Sequence, residues 1–156
     1  MRGFTFVEIL ITTGIFLILA AASLPIYNSL QVSTQLNEHS AQITQALRVA
    51  RERAVSGLND SAHGVFFNIN LSGADKYVLY QGSSYVTRVA AYDQEKFLED
   101  SFNFGNSGFI LVGTDIDVNF SKTLGKPNDT GMLIINHNVS GQRKIMVNAI
   151  GAVTEQ

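Results

Sequence analysis

Met1-Arg2-Gly3-Phe4-Thr5-Phe6-Val7-Glu8 opens the chain and runs straight into an apolar stretch that ends at Leu24. Its reading decides the architecture. From Phe4 to Leu24 there are about 21 residues, which at helical rise reach roughly 30 Å, the thickness of a bilayer's hydrocarbon core. The only charge inside the stretch is Glu8. An acid at the centre of a membrane helix costs on the order of 2.5 to 3.5 kcal/mol, so Glu8 requires a partner or a path to water. Arg2 on the other side predicts a positive-inside orientation, with the amino end in the cytoplasm. Gly14 and Pro25 interrupt the run, and Pro25 predicts a kink between Ala21 and itself, because proline removes a backbone hydrogen bond and crowds the preceding turn. Small residues at Gly14, Ala20, Ala21 and Ala22 would let other helices approach closely.

The basic leader, the Gly and the Phe-Thr-Phe-Val-Glu that follows resemble the class III signal of type IV pilins and type II secretion pseudopilins. In that family a prepilin peptidase cuts after the Gly, here Gly3, and methylates the new first residue, here Phe4, so that the apolar stretch stays on the mature protein. An ordinary secretory signal would instead be cut after its apolar region, for which Ala20 to Ser23 offer small residues. The pilin pattern is the more specific of the two. The leader is shorter than many in the family, which leaves a start codon further upstream open. With no cysteine in the chain, disulfides, thiol catalysis and thiolate metal sites are excluded. Many pilins of the IVa class carry a carboxy-terminal disulfide, whereas most pseudopilins do not.

Beyond Pro25, Leu36, Ile43, Leu47, Ala50, Ala54 and Leu58 recur at helical spacing, with Glu38, Arg48, Arg51, Glu52 and Arg53 on the opposite face. Gly57, followed by Asn59 and Asp60, predicts the stop. The periodicity then changes to short β-branched and aromatic runs. Strands are expected at Gly64 to Ile69, Tyr77 to Gln81, Val86 to Tyr92, Ile116 to Ser121, Met132 to Asn136 and Lys144 to Asn148, with turns at Ser72-Gly73, Gly82-Ser83 and Ser140-Gly141. The loop from Asp93 to Gly113 leaves room for one more strand, around Phe102 to Phe104. The expected class is α+β: a pilin-like fold whose long N-terminal helix, part transmembrane and part amphipathic, packs on an antiparallel sheet. The expected division is a leader (1–3), a transmembrane and assembly helix (4–24), an amphipathic helix (25–58) and a β-rich domain (59–156) in the periplasm or outside the cell. A length of 156 residues with 46% hydrophobic and 15% charged residues suits one packed domain beside such a helix.

Three further segments resemble the general secretion pathway protein H group of minor pseudopilins: Leu47 to Val55, with its Ala50-Arg51-Glu52-Arg53-Ala54; Asp117-Val118-Asn119-Phe120 followed by Gly125; and Arg143 to Val153. The family resemblance implies a structural subunit of a type II secretion pseudopilus, with a type IV pilus subunit for adhesion, motility or DNA uptake as the alternative. It implies as partners other pilins or pseudopilins in a helical filament, the prepilin peptidase, an inner-membrane assembly platform and, before assembly, membrane lipid in a single-pass cytoplasmic-membrane location. Phe4, Glu8, Gly14 and Pro25 are the expected assembly residues, with Gly3 and Phe4 the processing site. Some relatives bind DNA through a basic tail. Here Gly151-Ala152-Val153-Thr154-Glu155-Gln156 carries one acid and no arginine, and the net charge is -2, so nucleic acid is disfavoured.

No catalytic constellation emerges, and neither an enzyme activity nor a cofactor is expected. His39, His63 and His137 lack zinc spacing and are read as surface or turn residues. Asp115, Asp117 and Asp129 fit no calcium loop and are read as solvated acids. Gly125-Lys126-Pro127 lacks the rest of a phosphate loop and is read as a turn. Two classes stand beside the filament subunit: an anchored binding module that never polymerises, in which Glu8 would have no evident purpose, and a secreted enzyme with a cleaved signal.

Overall fold

The computed structural model describes residues 3–69 and 73–156, without the side chains of 22–26. It falls into two compact units, 1–34 and 35–156. Helical backbone is assigned over α1 (Phe6–Val55), and its described side chains form stretches of about 16 and 29 residues. Nine strands follow: β1 (His63–Asn68), β2 (Lys76–Gln81), β3 (Gln94–Phe97), β4 (Phe102–Ser107), β5 (Leu111–Val112), β6 (Asp115–Phe120), β7 (Gly131–His137), β8 (Gln142–Val147) and β9 (Val153–Glu155).

The expected architecture needs correction on two counts. There is not one sheet but two, both antiparallel, in the orders β3-β2-β1-β6-β5 and β4-β7-β8-β9. The expected long helix with a transmembrane half is also overturned. Among the described residues no helix is long and apolar enough to cross a membrane. The single-pass location and the orientation drawn from Arg2 fall with it. Pro25 and its kink, the leader residues Met1 and Arg2, and the Ser72 turn lie outside the described residues.

In the unit 35–156 the amphipathic reading of α1 holds for Leu36, Ile43, Leu47, Ala50 and Ala54, all at most 2% exposed. Leu58 departs from it: the helix has already stopped at Val55, and Gly57 turns the chain with a left-handed φ of 66°. The buried stripe meets both sheets. His39 packs edge-on against Phe102 of β4, at 4.6 Å between ring centroids, while Thr123, after β6, donates its N–H to the Ala54 carbonyl at 2.9 Å. Phe67 of β1 meets Phe104 of β4 at 5.3 Å, edge to face, and closes the core between the sheets. The buried Asp75 joins them a second time, its carboxylate accepting the Phe104 N–H at 2.6 Å.

The charged face of α1 is not simply solvated. Arg48 donates to the Val153 carbonyl at 3.1 Å, and Arg51 donates to the carbonyls of Gly125 and Ile150 at 3.3 and 3.1 Å. Arg48 thus holds the start of β9, and Arg51 two late loops, against the helix. A Cβ at Gly151 would stand 2.8 Å from Arg51 Nε and 2.4 Å from the Gly125 oxygen, which explains glycine there, at φ 77°.

Segment 86–92 is no strand. Tyr85 stacks on Phe66 at 3.7 Å, Arg88 lies over the Tyr85 ring and pairs with Asp93 at 2.7 Å, and a 3-10 turn forms at Ala90–Tyr92. In that turn the Tyr92 and Asp93 N–H groups donate to the Val89 and Ala90 carbonyls, so they are not offered to a ladder.

Candidate assembly site

Gly3, Phe4 and Thr5 precede the helix, and Thr5 is its N-cap. Its hydroxyl accepts the Glu8 N–H at 3.3 Å, and the Glu8 carboxylate accepts the Thr5 N–H and hydroxyl, both at 3.2 Å. This is a reciprocal capping box, satisfying backbone donors that the first turn leaves open. Glu8 in the first turn is also placed favourably against the positive end of the helix dipole. The Thr-x-x-Glu spacing was the signal in the sequence for Thr5, a residue the pilin-like motif did not single out for a role.

Glu8 is the only charged side chain between Gly3 and Ala21. The other polar groups turn inward: Thr12 donates to the Glu8 carbonyl at 2.9 Å and Thr13 to the Ile9 carbonyl at 2.7 Å. What remains outward is apolar on every side. Phe4 is 82% exposed, Phe6 79% and Phe16 72%, and from Gly3 to Ala21 only Gly14 is less than exposed. Full burial of such a side chain is worth about 1.5 to 3 kcal/mol. A helix apolar all round is one that other elements cover. At Gly14 a Cβ would meet no heavy atom within 4 Å, so nothing within the chain demands glycine there. Of the expected residues, Gly3 and Phe4 thus lie just before the Thr5–Glu8 capping box, Gly14 lies further along the same helix, and Pro25 is outside the described residues.

The remaining sequence candidates are engaged structurally. Asp117 accepts from the Tyr80 hydroxyl at 2.6 Å and the Tyr85 N–H at 3.1 Å, Asp115 from the Ile69 N–H at 2.9 Å, and Asp129 from the Thr130 N–H at 2.8 Å. Among the described residues no group of three or more His, Cys, Asp or Glu is placed to hold a metal. His137 lies where β7 turns, accepting the Val139 N–H through Nδ1.

His63 corrects its reading as a surface or turn residue. It is 2% exposed at the start of β1, and burial, then the charge of Arg53, lowers its pKa below the usual 6.5, opposed in part by a hydrogen bond to the Ser61 backbone. The unfolded chain therefore binds this proton more readily than the folded one, so stability present above pH 6.5 is lost as pH falls through that value toward the folded pKa. The melting temperature should drop between pH 7.5 and 5.5, and His63→Leu should flatten that drop. An unchanged slope in the variant would show that His63 does not carry it.

No protein-family model, no curated protein and no solved structure matches this chain.

Proposed function

We propose that the chain is a structural subunit of a pilus-like filament, a minor pseudopilin of a type II secretion system, cut after Gly3 and methylated on Phe4 by a prepilin peptidase. The observation that carries this reading is the helix end that is apolar on every side and bears a single acid at its base. In a helical filament, the corresponding helices of other subunits cover that surface. The motif at the amino terminus supports processing, and so does its conformation: Gly3 and Phe4 are exposed and precede the capped helix, where a peptidase can take the chain extended.

The capping box bears on the mechanism. Cleavage would place a new amino group on Phe4, next to Thr5, whose N–H and hydroxyl already bind the Glu8 carboxylate. The Glu8 side chain is thereby held near its own terminus, and in a helical bundle it would also come within reach of an adjacent subunit's. An ion pair shielded from water is stronger than one in bulk, so pairing would form on entry into the bundle and set the step between subunits. The subunit would then be handed by the assembly platform to neighbouring pilins or pseudopilins.

Intact mass and amino-terminal sequencing of the native protein test the reading. The expected chain begins at Phe4 and carries one methyl group. A chain beginning after Ala22 or Ser23 would overturn it in favour of a secreted protein.

A further inference from the structure

Two cavities, of about 260 and 220 Å³, adjoin along the β3 edge of the larger sheet, in the unit 35–156. Arg53 and Gln94 line both. The larger is walled on the helix side by Gln42 and Gln45 and on the strand side by Tyr77, Leu79 and Lys96. His63 lines the smaller.

Arg53 is set apart from the other arginines. Arg48 and Arg51 are spent on backbone carbonyls, Arg88 on Asp93, and Arg143 on Asn37 at 2.8 Å. Among the described residues the Arg53 guanidinium meets no acceptor, although the side chain is half-buried. Its charge is felt by His63, whose protonation it opposes. No carboxylate lines either cavity, whereas Glu95 on β3 is engaged by Lys76. The larger cavity therefore gathers two cations, three side-chain amides and a phenol around an apolar wall; no carboxylate lines it, and the one bonded to its lining, Glu38, accepts from the Gln42 amide at 3.1 Å rather than from either cation.

We propose that this cleft binds a carboxylate, held by Arg53 with Lys96 and the Gln94 amide assisting. A planar guanidinium fork matches a carboxylate in two parallel hydrogen bonds. The apolar wall, including Leu79, takes the methylene stem behind it. A cavity of this volume lies just below the usual range for ligand pockets and suits a short acid or one acidic side chain. The free acid and the side chain share the chemistry, and the experiment separates them.

The full chain is titrated with glutarate, with a tetraglutamate peptide and with inorganic phosphate, following the amide resonances of Gln94 and Lys96 and the ring of His63. Saturable shifts are expected with at least one carboxylate ligand, together with a rise in the His63 pKa as the anion offsets the Arg53 charge. Arg53→Gln should weaken binding about tenfold or more, Arg53→Lys less, and Lys126→Gln, outside the cavity, not at all. Glutarate binding with tetraglutamate inert assigns a free acid, and the reverse assigns an acidic segment of a protein partner. The proposal is overturned if neither carboxylate shifts these resonances, if phosphate binds as tightly as the carboxylates, or if a folded Arg53→Gln binds unchanged. Unaltered melting of the variant establishes that it is folded.

Discussion

On the proposed filament role, Glu8→Leu should abolish assembly while leaving cellular level and cleavage after Gly3 unchanged. Two interactions disappear in this variant, and they can be separated. As part of the capping box, the carboxylate satisfies the Thr5 N–H, and losing a cap costs about 0.5 to 2 kcal/mol of local helix stability. In the proposed bundle, as a charge facing the Phe4 amine, it would do more, because removing one member of a buried pair costs about 3 to 5 kcal/mol. Glu8→Gln keeps the box, since glutamine serves equally at that position, but removes the charge. If pairing with the amine drives registration, Glu8→Gln should show wild-type helix content by circular dichroism and still fail to assemble, as seen by electron microscopy of sheared filaments. If Glu8→Gln assembles like wild type, Glu8 is a cap and the registration role is wrong.

Gly64→Ala should be strongly destabilising to the unit 35–156. Gly64 lies in β1 directly between Tyr80 of β2 and Asn119 of β6. The gap it leaves lets the Tyr80 hydroxyl cross the strand, donating to Asp117 at 2.6 Å and accepting from the Asn119 amide at 3.0 Å. Burial first, and then the bond to Asp117, raises the phenol's pKa far above its usual value, so it stays protonated and keeps donating. The same group anchors the loop after β2, because Asn119 also donates to the Gly82 carbonyl at 2.9 Å and Asp117 accepts the Tyr85 N–H. An alanine Cβ would sit 2.6 Å from the Tyr80 hydroxyl and 2.8 Å from the Val118 oxygen. The backbone oxygen cannot swing aside, and moving Tyr80 strands its partners. Overpacking and lost buried hydrogen bonds together should cost about 2 to 4 kcal/mol, or roughly 10 °C in melting temperature. Tyr80→Phe, which removes only the hydroxyl, should cost less. Melting of Gly64→Ala within a degree or so of wild type would show that Tyr80 does not depend on this gap.

Which parts were legible in the sequence follows from which interactions are local. Helical spacing marked Leu36, Ile43, Leu47, Ala50 and Ala54 because one buried stripe repeats every turn. β1, β2, β6, β7 and β8 were legible to within a residue or two at each end because apolar runs bounded by turn residues announce themselves. β3 was not, since all four of its residues are exposed and two are charged. β5 and β9 are too short, at 2 and 3 residues, to show an alternation. Valines at 86 and 89 suggested a strand, but both side chains are exposed, and the stacking of Tyr85 fixes that loop instead. The split into two sheets depends on pairings between distant segments, such as Val65 with Val118, which no local pattern encodes. At the amino terminus the order is reversed. Gly3, Phe4, Thr5 and Glu8 are neighbours in the chain, so the motif displayed the site, while the exposure of the helix around it needed coordinates.

The two sheets are interleaved along the chain. β4 belongs to the smaller sheet yet lies between β3 and β5 of the larger, and β6 returns to pair with β1 before β7 begins. Neither sheet can therefore be completed from one contiguous segment. The consequence is kinetic: a ribosome must release the chain as far as Phe120 before β6 can find β1, and closing so long a loop before any reward slows folding. With Phe67 and Asp75 also tying the sheets together at Phe104, hydrogen exchange from the central strands of both sheets should proceed through a single global opening.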